Sequence, residues 1–298
     1  MKYAVIDIGS NSMRLTAYET QKDKFTILFK DKIMAGLANY VENGRLTSDG
    51  ILRAITGLLQ FRRLLSSLAI ERTAVFATAS LRNIENTQEA VSAISEATGF
   101  PVEVLSGHEE ARLGFYGATL EFPLKHGIFL DIGGASTETA RFEDGTLLST
   151  DSFPVGSLKL YRECVKKILP SKKSLFLMTE VVSDALSAIT PPKDPTPLLC
   201  VGGTARAALR LVRRKDGLPQ QQRTISAQAL SDLYDMLAAG DRPAIDLILK
   251  TTPERIHTIL PGLVILRRLS QIFQAESITI SHYGVREGYV CQRIQKIM

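Results

Sequence analysis

Cysteine is scarce in this chain, and what there is does not cluster. Three residues, Cys164, Cys200 and Cys291, lie far apart among 298. Such spacing excludes a disulfide framework and a paired-cysteine metal knuckle, and fits a reducing compartment. Tryptophan is absent, and the other aromatics are not interleaved with basic residues. No apolar run approaches the roughly 18–20 residues of a membrane helix. The opening MKYAVIDIGSNS has no long apolar stretch before Asp7, so no secretory signal is expected. Neither sign of charge dominates: 36 Lys and Arg against 31 Asp and Glu leave +5. That surplus does not announce a nucleic-acid binder and is compatible with an anionic small molecule or polymer. We therefore expect a cytoplasmic protein with neither DNA nor membrane as partner. Hydrophobic residues at 45% and charged residues at 22% exclude disorder and fibres. The length suits one large or two ordinary domains.

What is present is an alternation of strands and helices. Strands are expected at 3–8, 14–19, 25–33, 73–78 and 102–105, then at 126–132, 138–142, 198–201 and 277–281. Long helices are expected at 48–68 and from Asn86 to a C-cap at Gly99. A further helix opens at His108-Glu109-Glu110, and others lie near 157–168, 173–189, 204–214, 226–239 and 261–274. The prolines between 191 and 197 mark a loop. This pattern is an α/β protein with sheets covered by helices.

The chain also repeats itself. AVIDIGSNSMRLTAYE from Ala4 overlies IFLDIGGASTETARFE from Ile128, so that Asp7 meets Asp131, Gly9 meets Gly133 and Ser12 meets Ser136 at a constant offset of 124. Each copy reads apolar strand, Asp, Ile, Gly, small polar turn, strand. Glycine and serine allow backbone N–H groups to approach an anion, and Ser10, Ser12, Ser136 and Thr137 add hydroxyls. An Asp at the strand end can hold Mg²⁺ directly or through water. The bland alternative is a pair of ordinary hairpins, each Asp capping its own turn.

These hairpins resemble the phosphate loops of the actin, Hsp70 and sugar-kinase ATPase superfamily. Within it the chain is most similar to the exopolyphosphatase and guanosine pentaphosphate phosphohydrolase (Ppx/GppA) family. The resemblance rests on DIGSNSMRL (7–15), ATASLR (77–82), LSGHEEARLGFYG (105–117), DIGGASTE (131–138), SFPVGS (152–157), VGGTAR (201–206), PERIHTILPG (253–262) and GVREG (284–288). It implies two actin-like (ribonuclease H-like) α/β domains with a central cleft, in the short two-domain form. The expected bounds are 1–121 and 122–283, with a closing helix at 284–298 packing back on the first domain. It further implies Mg²⁺-dependent release of terminal phosphate from polyphosphate or guanosine pentaphosphate (pppGpp). A homodimer would lengthen a polyanion channel.

Roles follow from the matched motifs. Glu110 is the expected general base, aiming a water at the terminal phosphorus; its neighbour Glu109 is the acid most easily confused with it. Arg82 offers a donor fork to phosphate. Asp131 and Glu138 are the expected Mg²⁺ pair, with Asp7 joining through water. Gly9, Ser10, Asn11, Ser12 and Arg14, then Gly133, Gly134, Ser136 and Thr137, with Gly156, Gly203 and Thr204, are expected to bind phosphate. Two departures stand out. Ala135 replaces a third family glycine, and would block the loop if φ there had to be positive. Ala35-Gly36-Leu37 replaces an Arg-Leu-Gly stretch, so a cationic contact is lost. These motivate an alternative, a non-catalytic sensor of (p)ppGpp or polyphosphate. Gly202-Gly203-Thr204 motivates another, a kinase-like ATPase, because in the superfamily such a turn packs against nucleotide.

Overall fold

The computed structural model describes residues 1–22 and 24–295. Residues 296–298 of the expected closing helix lie outside them. The chain divides into two compact units. One is Met1–Glu110 with the chain from Gly288 onward, the other Ala111–Glu287. Among the described residues no helix is long and apolar enough to cross a membrane.

The first unit runs β1 (Lys2–Ile8), β2 (Met13–Gln21), β3 (Lys24–Ile33), the short β4 (Val41–Glu42) and β5 (Arg45–Leu46), α1 (Ser48–Ser67), β6 (Thr73–Ala77), α2 (Ala79–Arg82), α3 (Thr87–Thr98), β7 (Val102–Val104) and the start of α4 (Gly107–Glu121). Its sheet has the order β3-β2-β1-β6-β7. β1, β6 and β7 are parallel, and β2 and β3 add antiparallel. Helix α1 starts where Thr47 accepts a hydrogen bond from the Gly50 N–H at 3.3 Å. It buries Ala54, Leu58, Phe61 and Leu65, the three- and four-residue spacing of one helical face. These pack with Ala4, Ile6 and Ile8 of β1 and with Ala90 and Ile94 of α3. Strand alternation therefore sends Asp7 to the opposite face. Helix α3 stops at Gly99, whose φ of 69° is left-handed and suits glycine.

The second unit runs β8 (His126–Ile132), β9 (Thr137–Glu143), β10 (Thr146–Phe153), α5 (Ser157–Cys164), α6 (Lys172–Ala185), β11 (Leu198–Val201), α7 (Gly202–Asp216), β12 (Thr224–Ser226), α8 (Ala227–Ala239), α9 (Arg242–Thr251), α10 (Ile259–Ile272) and β13 (Ser277–Ile280). The sheet order is β10-β9-β8-β11-β13-β12, with β8, β11 and β13 parallel. The repeat seen in one hairpin thus extends to five strands: β3-β2-β1-β6-β7 corresponds to β10-β9-β8-β11-β13, and β12 is added at the edge. Register is kept as well. Asp7 pairs with Arg14 and Asp131 with Glu138, so Glu138 stands where Arg14 stands in the first sheet.

Several elements differ from expectation; the short strands β4, β5 and β12 were not among those expected. β10 and α9 were not expected at all, and the closing helix is not a uniform α-helix. It is α11 (Val285–Tyr289) followed by a π-helix over Val290–Gln295. Within the first unit, the Tyr289 ring stacks on Phe76 with centroids 5.3 Å apart. Arg293 forms ion pairs with Glu103 and Glu109. The wider π turn begins directly after Tyr289 and carries Arg293.

Candidate active site

In each sheet the expected residues gather where parallel strands end, the edge at which α/β sheets present ligand-binding loops. In the first unit β1 runs into loop 9–12, β6 into Thr78 and α2, and β7 into Leu105-Ser106 and α4. Loop 9–12 is closed by the Gly9 N–H donating to the Ser12 carbonyl at 3.2 Å. A Cβ at Gly9 would lie 3.0 Å from that oxygen. The Ser10 and Asn11 carbonyls accept from Ala38 and Gly36 N–H groups at 3.0 and 2.9 Å. The Ala35-Gly36-Leu37 stretch, although it lacks the family's arginine, therefore braces the loop through its backbone. The Ser80 hydroxyl donates to the Ile8 carbonyl, and Arg14 Nε donates to Ser12 Oγ at 3.3 Å.

Glu110 and Glu109 have different surroundings. Glu110 is buried, 8% exposed. Arg82 Nη1 donates to its Oε2 at 2.7 Å and to the Leu105 carbonyl at 3.1 Å. The ion pair fixes the carboxylate at the head of α4. Glu109 closes a capping box. Its Oε2 accepts from the Ser106 N–H at 3.1 Å and hydroxyl at 3.0 Å, while its own N–H donates to Ser106 Oγ at 3.2 Å. Arg293 Nη2 takes its other oxygen at 2.7 Å. The Ser106 backbone N–H, with help from the Ser106 hydroxyl and Arg293, holds the Glu109 carboxyl below the usual carboxylate range. Glu109 is thereby committed to the helix cap.

In the second unit β8 runs into loop 133–136 and β11 into α7. The Gly133 N–H donates to the Ser136 carbonyl at 2.9 Å, the closure seen at Gly9. The Gly134 carbonyl accepts from the Leu158 and Lys159 N–H groups, both at 2.9 Å, which ties the loop to the first turn of α5. Gly156 packs under this loop: a Cβ there would lie 2.5 Å from Gly134 C and Ala135 N. It supports the loop from behind. Ala135 is not among the residues with positive φ, so its methyl group imposes no strain. Thr137 is fully buried and donates its hydroxyl proton to the Val155 carbonyl at 2.6 Å, which commits it to structure.

Asp131 and Glu138 are cross-strand partners, and Glu138 is in turn opposite Ser152 on β10. Ser152 Oγ donates to Glu138 Oε1 at 2.9 Å, and Glu138 is 1% exposed. Paired residues in an antiparallel ladder share a face, so the two acids form a row with Ser152. Gly202, at φ 83°, lets α7 begin against Asp131; a Cβ there would collide with the Asp131 carboxylate. Among the described residues no group of three or more His, Cys, Asp or Glu side chains is placed to hold a metal ion. The two-acid row does match the way Mg²⁺ is commonly held, by one or two carboxylates with water and phosphate completing the shell. Arg255 covers Gly203, whose added Cβ would strike the guanidinium. Arg255 belongs to PERIH, a segment that sequence reasoning noted without giving this side chain a role. Thr204 lies beneath, 1% exposed, its hydroxyl 3.4 Å from the Ile132 carbonyl.

A family model described as the Ppx/GppA phosphatase family matches residues 16–297. The chain belongs to this family. Among Ppx/GppA relatives, it is 24% identical to exopolyphosphatase 1 of Mycobacterium tuberculosis over 99% of this chain and 88% of that protein. It is 27% identical to the guanosine-5'-triphosphate,3'-diphosphate pyrophosphatase of Vibrio cholerae, over 99% of this chain but 60% of that enzyme. Two solved structures share the fold. The Ppx/GppA family member of Aquifex aeolicus has a TM-score of 0.81 at 24% identity, covering 99% of this chain and 98% of its own. An exopolyphosphatase from Cytophaga hutchinsonii has a TM-score of 0.86 at 22% identity, covering 100% and 99%. The Ppx/GppA architecture of this chain is α/β, with a separate mixed sheet in each unit and an actin-like fold.

Proposed function

We propose that the chain is a phosphohydrolase that removes the terminal phosphate of inorganic polyphosphate or pppGpp. The observation that carries this reading is the buried Glu110, oriented by Arg82, at the strand ends that also present loop 9–12. A water oxygen attacks the terminal phosphorus in line, its proton passes to Glu110, and the bridging P–O bond breaks. Orthophosphate and a chain shorter by one phosphate leave. The backbone N–H groups of Ser10, Asn11 and Ser12, and of Gly134 and Ser136, supply donors to phosphate oxygens, while the Gly9 and Gly133 amides are used to close their loops. Asp131 and Glu138 would hold Mg²⁺, and the bound ion would neutralise charge on the phosphate oxygens.

The kinase-like alternative is weakened by Arg255, whose guanidinium lies against Gly203 in the turn that motivated it. The sensor alternative loses part of its motivation, because Ala135 fits its loop without positive φ. We expect purified protein with Mg²⁺ to release orthophosphate from polyphosphate or pppGpp and not from ATP, and chelation by EDTA to stop release. A panel over polyphosphate lengths, pppGpp and ATP, read by phosphate assay, checks this. Tight binding of polyphosphate or pppGpp without release under any divalent metal would favour the sensor.

A further inference from the structure

We propose that Arg293 is a positioning residue for Glu110, clamping both ends of the link that delivers it. The proposal rests on the reading of Glu110 as the base. Glu103 lies on β7, before the 105–106 link, and Glu109 lies in the first turn of α4, after it. One guanidinium joins them: Arg293 Nη1 is 2.9 Å from Glu103 Oε1, and Nη2 is 2.7 Å from Glu109 Oε1. Tyr289 OH donates to Glu103 Oε2 at 2.9 Å. Burial, with the Glu103 carboxylate adding to it, pushes the Tyr289 phenol well above its ordinary range, so it stays a donor. The Tyr289 ring stacks on Phe76 of β6, and the Arg293 guanidinium lies 5.9 Å from that ring's centre. The clamp is thus mounted on the end of α11 and the π-helix that follows, and anchored on two strands of the first sheet.

The chemistry explains why a cation is needed there. Without it, two carboxylates face each other across a two-residue link and repel. Glu109 would be pushed outward, and Glu110 is its immediate neighbour. A displacement of the base by a fraction of an ångström, away from Arg82, is costly for an in-line attack. Arg293 is one-third exposed, so its ion pairs contribute little to global stability. A structural role and a positioning role therefore predict different readouts.

The test compares Arg293→Gln, Arg293→Lys, Glu109→Gln and Glu110→Gln in the full chain, using the best substrate of the release panel. Arg293→Gln is expected to lower kcat roughly tenfold with KM and melting temperature nearly unchanged. Arg293→Lys should recover a large part of the loss. Adding Glu109→Gln to Arg293→Gln should cost less than the two single losses combined, because the repulsion is removed. An unchanged kcat in Arg293→Gln, with Glu110→Gln inactive, overturns the clamp and leaves the base intact. A loss that follows a lowered melting temperature and is not recovered by Lys assigns Arg293 to structure alone. Full activity in Glu110→Gln removes the base, and the clamp with it.

Discussion

Glu110→Gln is expected to lower the rate of terminal phosphate release by about a thousandfold, within the range by which a positioned base accelerates proton transfer. The substitution keeps the shape of the side chain and one oxygen to accept from Arg82, but it removes the proton acceptor. KM should change little, since the proposed phosphate donors lie in other segments. Glu110→Ala should be equally inactive and also less stable. It removes the carboxylate that accepts from the Arg82 guanidinium at 2.7 Å in a largely buried setting. Breaking a buried pair from one side typically costs about 3–5 kcal/mol. Phosphate release and a urea melt on both variants separate the two effects. Release by Glu110→Gln within tenfold of the parent would show that another group takes the proton.

The second large effect is expected at a residue with no polar side chain. Gly156→Ala puts a methyl group 2.5 Å from main-chain atoms of Gly134 and Ala135. Main chain cannot rotate aside as a flexible side chain does, so loop 133–136 must move or α5 must retreat. Overpacking of this kind costs about 1–3 kcal/mol, and the loop's hydrogen bonds to Ser157, Leu158 and Lys159 would be stretched. The expected result is a lower unfolding midpoint together with a severe loss of phosphate release. Gly145→Ala is the control. Its φ of 73° is also unfavourable for alanine, but nothing lies within 4 Å of the added carbon. It should lose stability and retain activity. If Gly156→Ala matches the parent in both measurements, the loop is not seated on Gly156.

Much of this was legible because turn chemistry is local. The paired Asp-Ile-Gly hairpins, the Gly99 cap and the alternation of strands with helices are written in neighbouring residues. Helix α9 was legible too and was missed: Asp241 accepts from the Ala244 N–H at 3.0 Å, and a proline occupies its first turn, a standard start signal. β10 was harder, since its exposure pattern does not alternate cleanly and a register shift falls between Leu147 and Ser149. In the sequence, the family motif alone tells Glu110 apart from Glu109; composition and spacing give no distinction. The two are adjacent acids in one helical turn, and their difference is made by Arg293, 184 residues away, and Arg82, 28 residues away. The partners of Thr137 and Gly156, namely Val155 and loop 133–136, are likewise found only in the fold.

The first unit is assembled from two separated stretches of the sequence, Met1–Glu110 and the chain from Gly288 onward, whereas the second is one continuous stretch. On the ribosome, domains fold as units as their sequence emerges. The continuous unit has all its residues before the other can be completed. Tyr289 and Arg293 follow Glu110 by 179 and 183 residues, so a nascent chain carries Glu110 long before it carries the side chains that brace the turn behind it.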